Sequence, residues 1–87
     1  MRLFLTDSFK SDYQNLPGEI KSKLDRQLNM LLADPRYPSL QTKKMKGLPY
    51  FEARITQNYR FIFRIQGDIY VIMRAGLHDI LNRPWSF

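Results

Sequence analysis

The apolar positions of this chain change their period three times. "RLFLT" opens with alternation: Leu3 and Leu5 share one face, Arg2 and Phe4 the other, which reads as a short strand. Thr6 or Asp7 can then cap a helix whose stripe is Phe9, Tyr13 and Leu16, at spacings of four and three. "NLPGE" interrupts it, and Pro17 suits the first turn of a second helix. Ile20, Leu24, Leu28, Leu31 and Leu32 mark the apolar face of that longer helix, which ends near Asp34 because Pro35 disfavours helical geometry before it. "DPRYPSLQTKKMKGLP" reads as a loop or a loose helical turn. From Tyr50 on the period is two. "YFEARIT", "YRFIFRI" and "IYVIMRA" are rich in aromatic and β-branched residues and are separated by "QN" and "QGD", as in a meander of three strands. The expected fold is α+β, in the order β-α-α-β-β-β. An N-terminal helical hairpin packs on a mainly antiparallel four-stranded sheet, as one domain over residues 1–87.

Strand register decides which side chains share a face. With three-residue connections, Gln57-Asn58-Tyr59 and Gln66-Gly67-Asp68, Thr56 opposes Arg60, Arg54 opposes Ile62 and Glu52 opposes Arg64. In the second hairpin Arg64 opposes Tyr70, Ile62 opposes Ile72 and Arg60 opposes Arg74. One face then collects Phe51, Ala53, Ile55, Phe61, Phe63, Ile65, Ile69, Val71 and Met73, a core for the helices. The other collects Glu52, Arg54, Arg60, Arg64 and Arg74 around Ile62, Tyr70 and Ile72. Two-residue connections would mix apolar and charged side chains on both faces. Four arginines on one face are either a solvated surface with long stems lying over it or a phosphate-binding surface, since the guanidinium fork matches phosphate oxygens.

Composition and charge narrow the partners. The 87 residues hold 44% hydrophobic positions, a globular proportion. There is no cysteine, which removes disulfides and thiolate zinc sites. No stretch reaches transmembrane length and the apolar start is too short for a signal peptide, so a cytoplasmic protein without membrane association is expected. Fourteen Lys and Arg against eight Asp and Glu leave a net charge of +6, which favours a polyanionic or acidic partner. Lys43, Lys44 and Lys46 add a basic cluster, either a solvated loop or contacts to an RNA backbone. The single histidine, His78, stands beside Asp79. One such pair cannot close a metal site, and no glycine-rich phosphate loop is present, so neither metal nor nucleotide cofactor is expected.

"KKMKGLPYFEARITQNYRFIFRIQGDIYVIMRAGLHD" resembles the RelE/ParE superfamily of bacterial toxins from toxin–antitoxin pairs. The resemblance lies in the basic "KKMKG" segment, the aromatic-Glu-x-Arg-Ile strand, the "NYRFIF" strand start, the Gly-Asp hairpin and a last strand running to a histidine. It implies a compact toxin held inactive by an acidic antitoxin. It also implies, for many such proteins, cleavage of mRNA in the ribosomal A site without metal, by attack of the ribose 2′-OH on the adjacent phosphate. That reaction needs a base, cations for the charge growing on phosphorus and an acid for the 5′-oxygen.

By resemblance, Arg60 matches the arginine used on the scissile phosphate, and Arg54 and Arg74 could hold phosphates. Glu52 could be the base, or the ion-pair partner of Arg54 or Arg64. Lys43, Lys44, Lys46 and Arg64 are the expected RNA contacts. His78 stands where some RelE-like nucleases carry a C-terminal histidine, which can serve as acid or base. In those members an aromatic residue follows it. Here Asp79 does, and Tyr70, Trp85 or Phe87 would have to compensate. Two other activities fit the same resemblance: a ParE-like poison of DNA gyrase, and a member without activity that only binds its antitoxin.

Overall fold

The structure, a computed structural model, describes residues 1–81. Strand β1 (Arg2–Leu5) leads into helix α1 (Asp7–Gln14) and the longer helix α2 (Gly18–Ala33). A 3₁₀ turn (Pro38–Leu40) and a two-residue strand β2 (Lys43–Lys44) follow. Strands β3 (Phe51–Arg54), β4 (Tyr59–Gln66) and β5 (Ile69–Leu77) form the meander, and β5 runs directly into a one-turn helix α3 (His78–Leu81). The sheet has the order β1-β5-β4-β3-β2 and is antiparallel except for β1, which runs parallel to β5. It therefore has five strands where four were expected. The extra one is β2, paired with β3 through Lys43–Glu52 and Lys44–Phe51, in the stretch whose prolines suggested a loop. Among the described residues no helix is long and apolar enough to cross a membrane.

Local chemistry accounts for the helix ends. Thr6 caps α1: its hydroxyl oxygen accepts from the Phe9 amide at 3.1 Å, satisfying a donor the helix cannot. The same hydroxyl lies 3.0 Å from the carbonyls of Ile72 and Met73, tying the helix start to β5. Helix α2 stops at Asp34, held extended (φ −162°, ψ 108°) ahead of Pro35.

Both hairpins depart from the expected register, with different consequences. In the first, Glu52 faces Ile62, Ala53 faces Phe61 and Arg54 faces Arg60, a shift of two residues. An even shift preserves the faces. The second closes through the two residues Gly67 and Asp68, with Gly67 at φ +59°, the glycine-first pattern of a II′ turn. This odd shift places Tyr70 and Ile72 on the face of Phe63 and leaves Ile69 and Val71 on the face of Arg64. A β-bulge at Met73 then restores the original phase, so Ile62 faces Arg74 and Arg60 faces Gly76. The expected assignments of Tyr70, Ile72, Ile69 and Val71 are thus reversed, and Arg60 does not oppose Arg74. The alternation along β5 could not show this, because an extra residue in mid-strand leaves both halves looking regular.

The helices cover the face that carries Ala53, Phe61, Phe63, Tyr70, Ile72 and Ala75, against Phe9, Ile20, Leu24, Leu28 and Leu31. Phe63 stacks on Phe51 at 5.4 Å and meets Tyr70 edge-on at 5.6 Å. On the opposite face Ile62 is fully buried and Glu52 and Val71 nearly so, while Arg64 and Phe4 are exposed, so that face is covered only in part.

Candidate functional site

The site forms where β3, β4 and the β5–α3 junction meet. Glu52 projects from the middle of β3 and is 5% exposed. Its Oε1 lies 3.0 Å from Nδ1 of His78 and 3.5 Å from Nε of Arg60. The histidine contact is close but off the line of a ring hydrogen bond. Two backbone features aim the groups at one another. The His78 amide donates to the Asn58 carbonyl at 2.8 Å, fastening the end of β5 to the β3–β4 loop. The bulge at Met73 resets the phase of β5 ahead of this junction.

Arg60 is braced as well as paired. One guanidinium nitrogen donates to the carbonyls of Thr56, Gln57 at 2.8 Å and Tyr59 at 3.0 Å. Its side chain is 15% exposed. Burial holds its pKa below the ordinary arginine value, the facing charge of Arg54 adds to that lowering, and Glu52 opposes both. A half-dehydrated guanidinium whose stem is fixed by loop carbonyls is preorganised for a second anion.

Arg54 lies directly across from Arg60, and its Nε is buried without an acceptor. The end of β3 that carries it is held by Gln27 of α2, whose amide donates to the Arg54 carbonyl at 2.8 Å and to that of Ser39 at 3.1 Å. Arg74 is engaged elsewhere: Asp12 of α1 takes its Nε at 2.6 Å and its second nitrogen at 3.2 Å. The hydrogen bonds to Asp12 raise the Arg74 pKa and outweigh its burial. Asp12 also accepts the Ala75 amide at 3.1 Å, so it serves the edge of β5 beyond the end of β1. Arg64 is exposed and donates to Gln66 at 3.1 Å. Lys43, Lys44 and Lys46 are exposed, the first two on the outer strand.

The structure therefore brings together Glu52, Arg60 and His78, with Arg54 adjoining. Glu52 pairs with Arg60 and His78, not with Arg54 or Arg64 as weighed from the sequence. Arg74 is bound to a helix, and Arg64 and the lysines lie on the periphery. Asp79 is exposed. Tyr70 is buried in the helix-side core and cannot stand in for an aromatic beside His78. Trp85 and Phe87 lie outside the described residues. Asp12 and Gln27 went unnoticed in the sequence. An aspartate off the apolar stripe of one helix and a glutamine beside that of another look like solvent-facing residues, and no local signal marks their partners. Among the described residues no three His, Asp or Glu side chains gather as a metal site would require.

No family model and no curated protein matches the sequence. Solved structures do match. The chain superposes on the YoeB/ParE toxin from Agrobacterium tumefaciens with a TM-score of 0.77 and 24% identity, covering 90% of this chain and 99% of that one. YafQ from E. coli gives a TM-score of 0.76 at 15% identity, over 93% and 97% of the two chains. The RelB–RelE antitoxin–toxin complex from Methanococcus jannaschii gives 0.71 at 21% identity, over 90% and 93%. The chain thus has the RelE/ParE-like fold.

Proposed function

We propose that this protein is the toxin of a type II toxin–antitoxin pair and acts as a ribosome-dependent, metal-independent mRNA endonuclease. The observation that carries the reading is the convergence of Glu52, Arg60 and His78 within 3.5 Å contacts on a fold shared with solved toxins, several of them in complexes with antitoxins. Each residue has a role the chemistry needs. Arg60 meets the scissile phosphate and takes the charge that grows on its oxygens. The 2′-OH gives up its proton to solvent water, its oxygen attacks phosphorus, the P–O5′ bond breaks, and the leaving O5′ takes up a proton. His78 is the group suited to move that proton, since it stands beside Arg60's carboxylate partner at the end of β5. Glu52 is too buried to reach a ribose. It acts as the buried carboxylate that holds Arg60 and the imidazole in one place. Arg54 binds a neighbouring phosphate, and Lys43, Lys44, Lys46 and Arg64 contribute longer-range attraction to RNA. The antitoxin partner is acidic and covers this basic face, and the working compartment is the cytoplasm.

The test is in vitro translation with purified protein, mapping the new mRNA 5′ ends by primer extension. Ribosome-dependent cuts are expected. Arg60→Ala should lower their rate at least 100-fold, consistent with loss of one charge-stabilising group. Intact mRNA together with inhibited DNA supercoiling would instead make the protein a gyrase poison.

A further inference from the structure

We propose that a second cleft, between α2 and the β3–β4 loop, is a subsite for the backbone of single-stranded RNA, with one base laid against Tyr37. The inference rests on the RNA-cleaving reading and extends it to where the strand runs beyond the scissile bond. The cleft has a volume of about 590 Å³ and is lined by Lys23, Arg26, Tyr37, Arg54 and Gln57, among others. Lys23, Arg26, Gln27 and Met30 of α2 also border it, at the spacing of one helix face.

Charge balance makes this cleft unusual. Among the described residues no carboxylate pairs with Lys23, Arg26 or Arg54. Asp25, the acid next to Arg26 in the chain, is turned to the other helix, where it accepts the Tyr13 hydroxyl at 2.9 Å. Two exposed cations of α2, Lys23 and Arg26, therefore border one concavity that the Arg54 backbone end of β3 also lines, and none of the three residues has a carboxylate partner among the described residues. An anion would supply the partner these cations lack.

Continuity with the first site identifies the anion as a polynucleotide. Thr56 and Gln57 line the cleft, and their carbonyls brace Arg60. Arg54 borders the cleft and faces Arg60 across the hairpin. A chain of regularly repeated phosphates can engage Arg60, Arg54 and the α2 cations in succession. The Tyr37 ring, 42% exposed at the same cleft, offers a stacking surface that an acidic peptide would not use.

The experiment uses no ribosome, so it is separate from the test of cleavage. A fluorescent pentanucleotide with 2′-O-methyl riboses, which has no nucleophile to cut itself, is titrated against the whole protein over a range of salt. Amide shifts of the ¹⁵N-labelled protein are followed in parallel. Lys23→Gln/Arg26→Gln should weaken binding about tenfold at low salt and reduce the slope of log K against log salt by roughly 1.4, about 0.7 per neutralised phosphate. Tyr37→Ala should weaken it by about tenfold with the slope unchanged. These side chains are exposed, so the variants should unfold at the wild-type temperature. The subsite is refuted if the wild type does not bind the oligonucleotide, if the double variant binds as the wild type does, or if shifts are confined to the Glu52 side. It is also refuted if a glutamate pentapeptide competes more strongly than the oligonucleotide. Normal oligonucleotide binding with uncut mRNA would overturn the endonuclease reading and leave the subsite standing.

Discussion

Replacing Glu52 by glutamine removes one charge and keeps the side chain's shape, which makes it the sharpest probe of the site's internal balance. Glu52 is 5% exposed and stands 3.5 Å from Arg60 Nε. At an effective dielectric of about 20, two unit charges at that distance attract by roughly 5 kcal/mol. The dehydration of both groups offsets much of it. Arg60 also retains its three carbonyl acceptors, so its charge is not stranded. Glu52→Gln should therefore cost about 2 kcal/mol in urea unfolding. For a chain of this size that lowers the melting temperature by roughly 8–16 °C. Arg54 supplies the decisive control, because it opposes Arg60 directly and its charge already lowers the Arg60 pKa. Once Glu52 is neutral, that repulsion is uncompensated. Arg54→Gln added to Glu52→Gln should recover about 1 kcal/mol, where the same change in the wild type gains less. If the two substitutions add within about 0.4 kcal/mol, Glu52 does not balance the arginine pair and the account of the site's electrostatics is wrong.

Other expectations are simpler to check. Asp12→Ala removes a bidentate partner of Arg74 and leaves the Ala75 amide without its acceptor, so thermal or urea unfolding should show a loss of about 2 kcal/mol. Gly67→Ala forces a Cβ onto a residue at φ +59° with open space around it, and should cost about 1 kcal/mol through the backbone alone. Tyr13 has a pKa raised chiefly by its hydrogen bond to Asp25, with burial and the carboxylate charge adding. A pKa higher in the folded state contributes stability below the unfolded value near 10 and loses it as pH rises through the folded one. Phenolate absorbance should show Tyr13 ionising late, and Asp25→Asn should shorten the delay, leaving the part due to burial.

The periodicities located β1, both long helices and the three meander strands to within a few residues, because each buries one continuous face and burial imposes a period. The same logic separated Phe61 and Phe63 from Arg60 and Arg64. It failed where one residue breaks phase. A clean division of faces argued for three-residue connections, yet the chain uses a two-residue turn and recovers the phase at Met73. It failed also at β2, whose pairing depends on the distant Glu52–Phe51 edge and leaves no local periodicity over two residues. Of the site, residue types and strands were readable. The pairings were not, since they depend on rotamers and on side chains from other elements.

Those pairings change what the arginine face can do. Read as a set, Arg54, Arg60, Arg64 and Arg74 are four equivalent phosphate ligands. In the folded protein they are unequal. Arg74 is neutralised at 2.6 Å by Asp12, so its positive potential is largely spent within the protein. Arg64 is exposed, where solvent and salt screen it. Arg60 shares one carboxylate with His78, and Arg54 has none among the described residues. The charge left for an incoming anion therefore falls off from Arg54 and Arg60 to Arg64 and Arg74, and Arg54 also lines the second cleft. A polyanion drawn in by the net charge of +6 would be oriented by this gradient before any base is read.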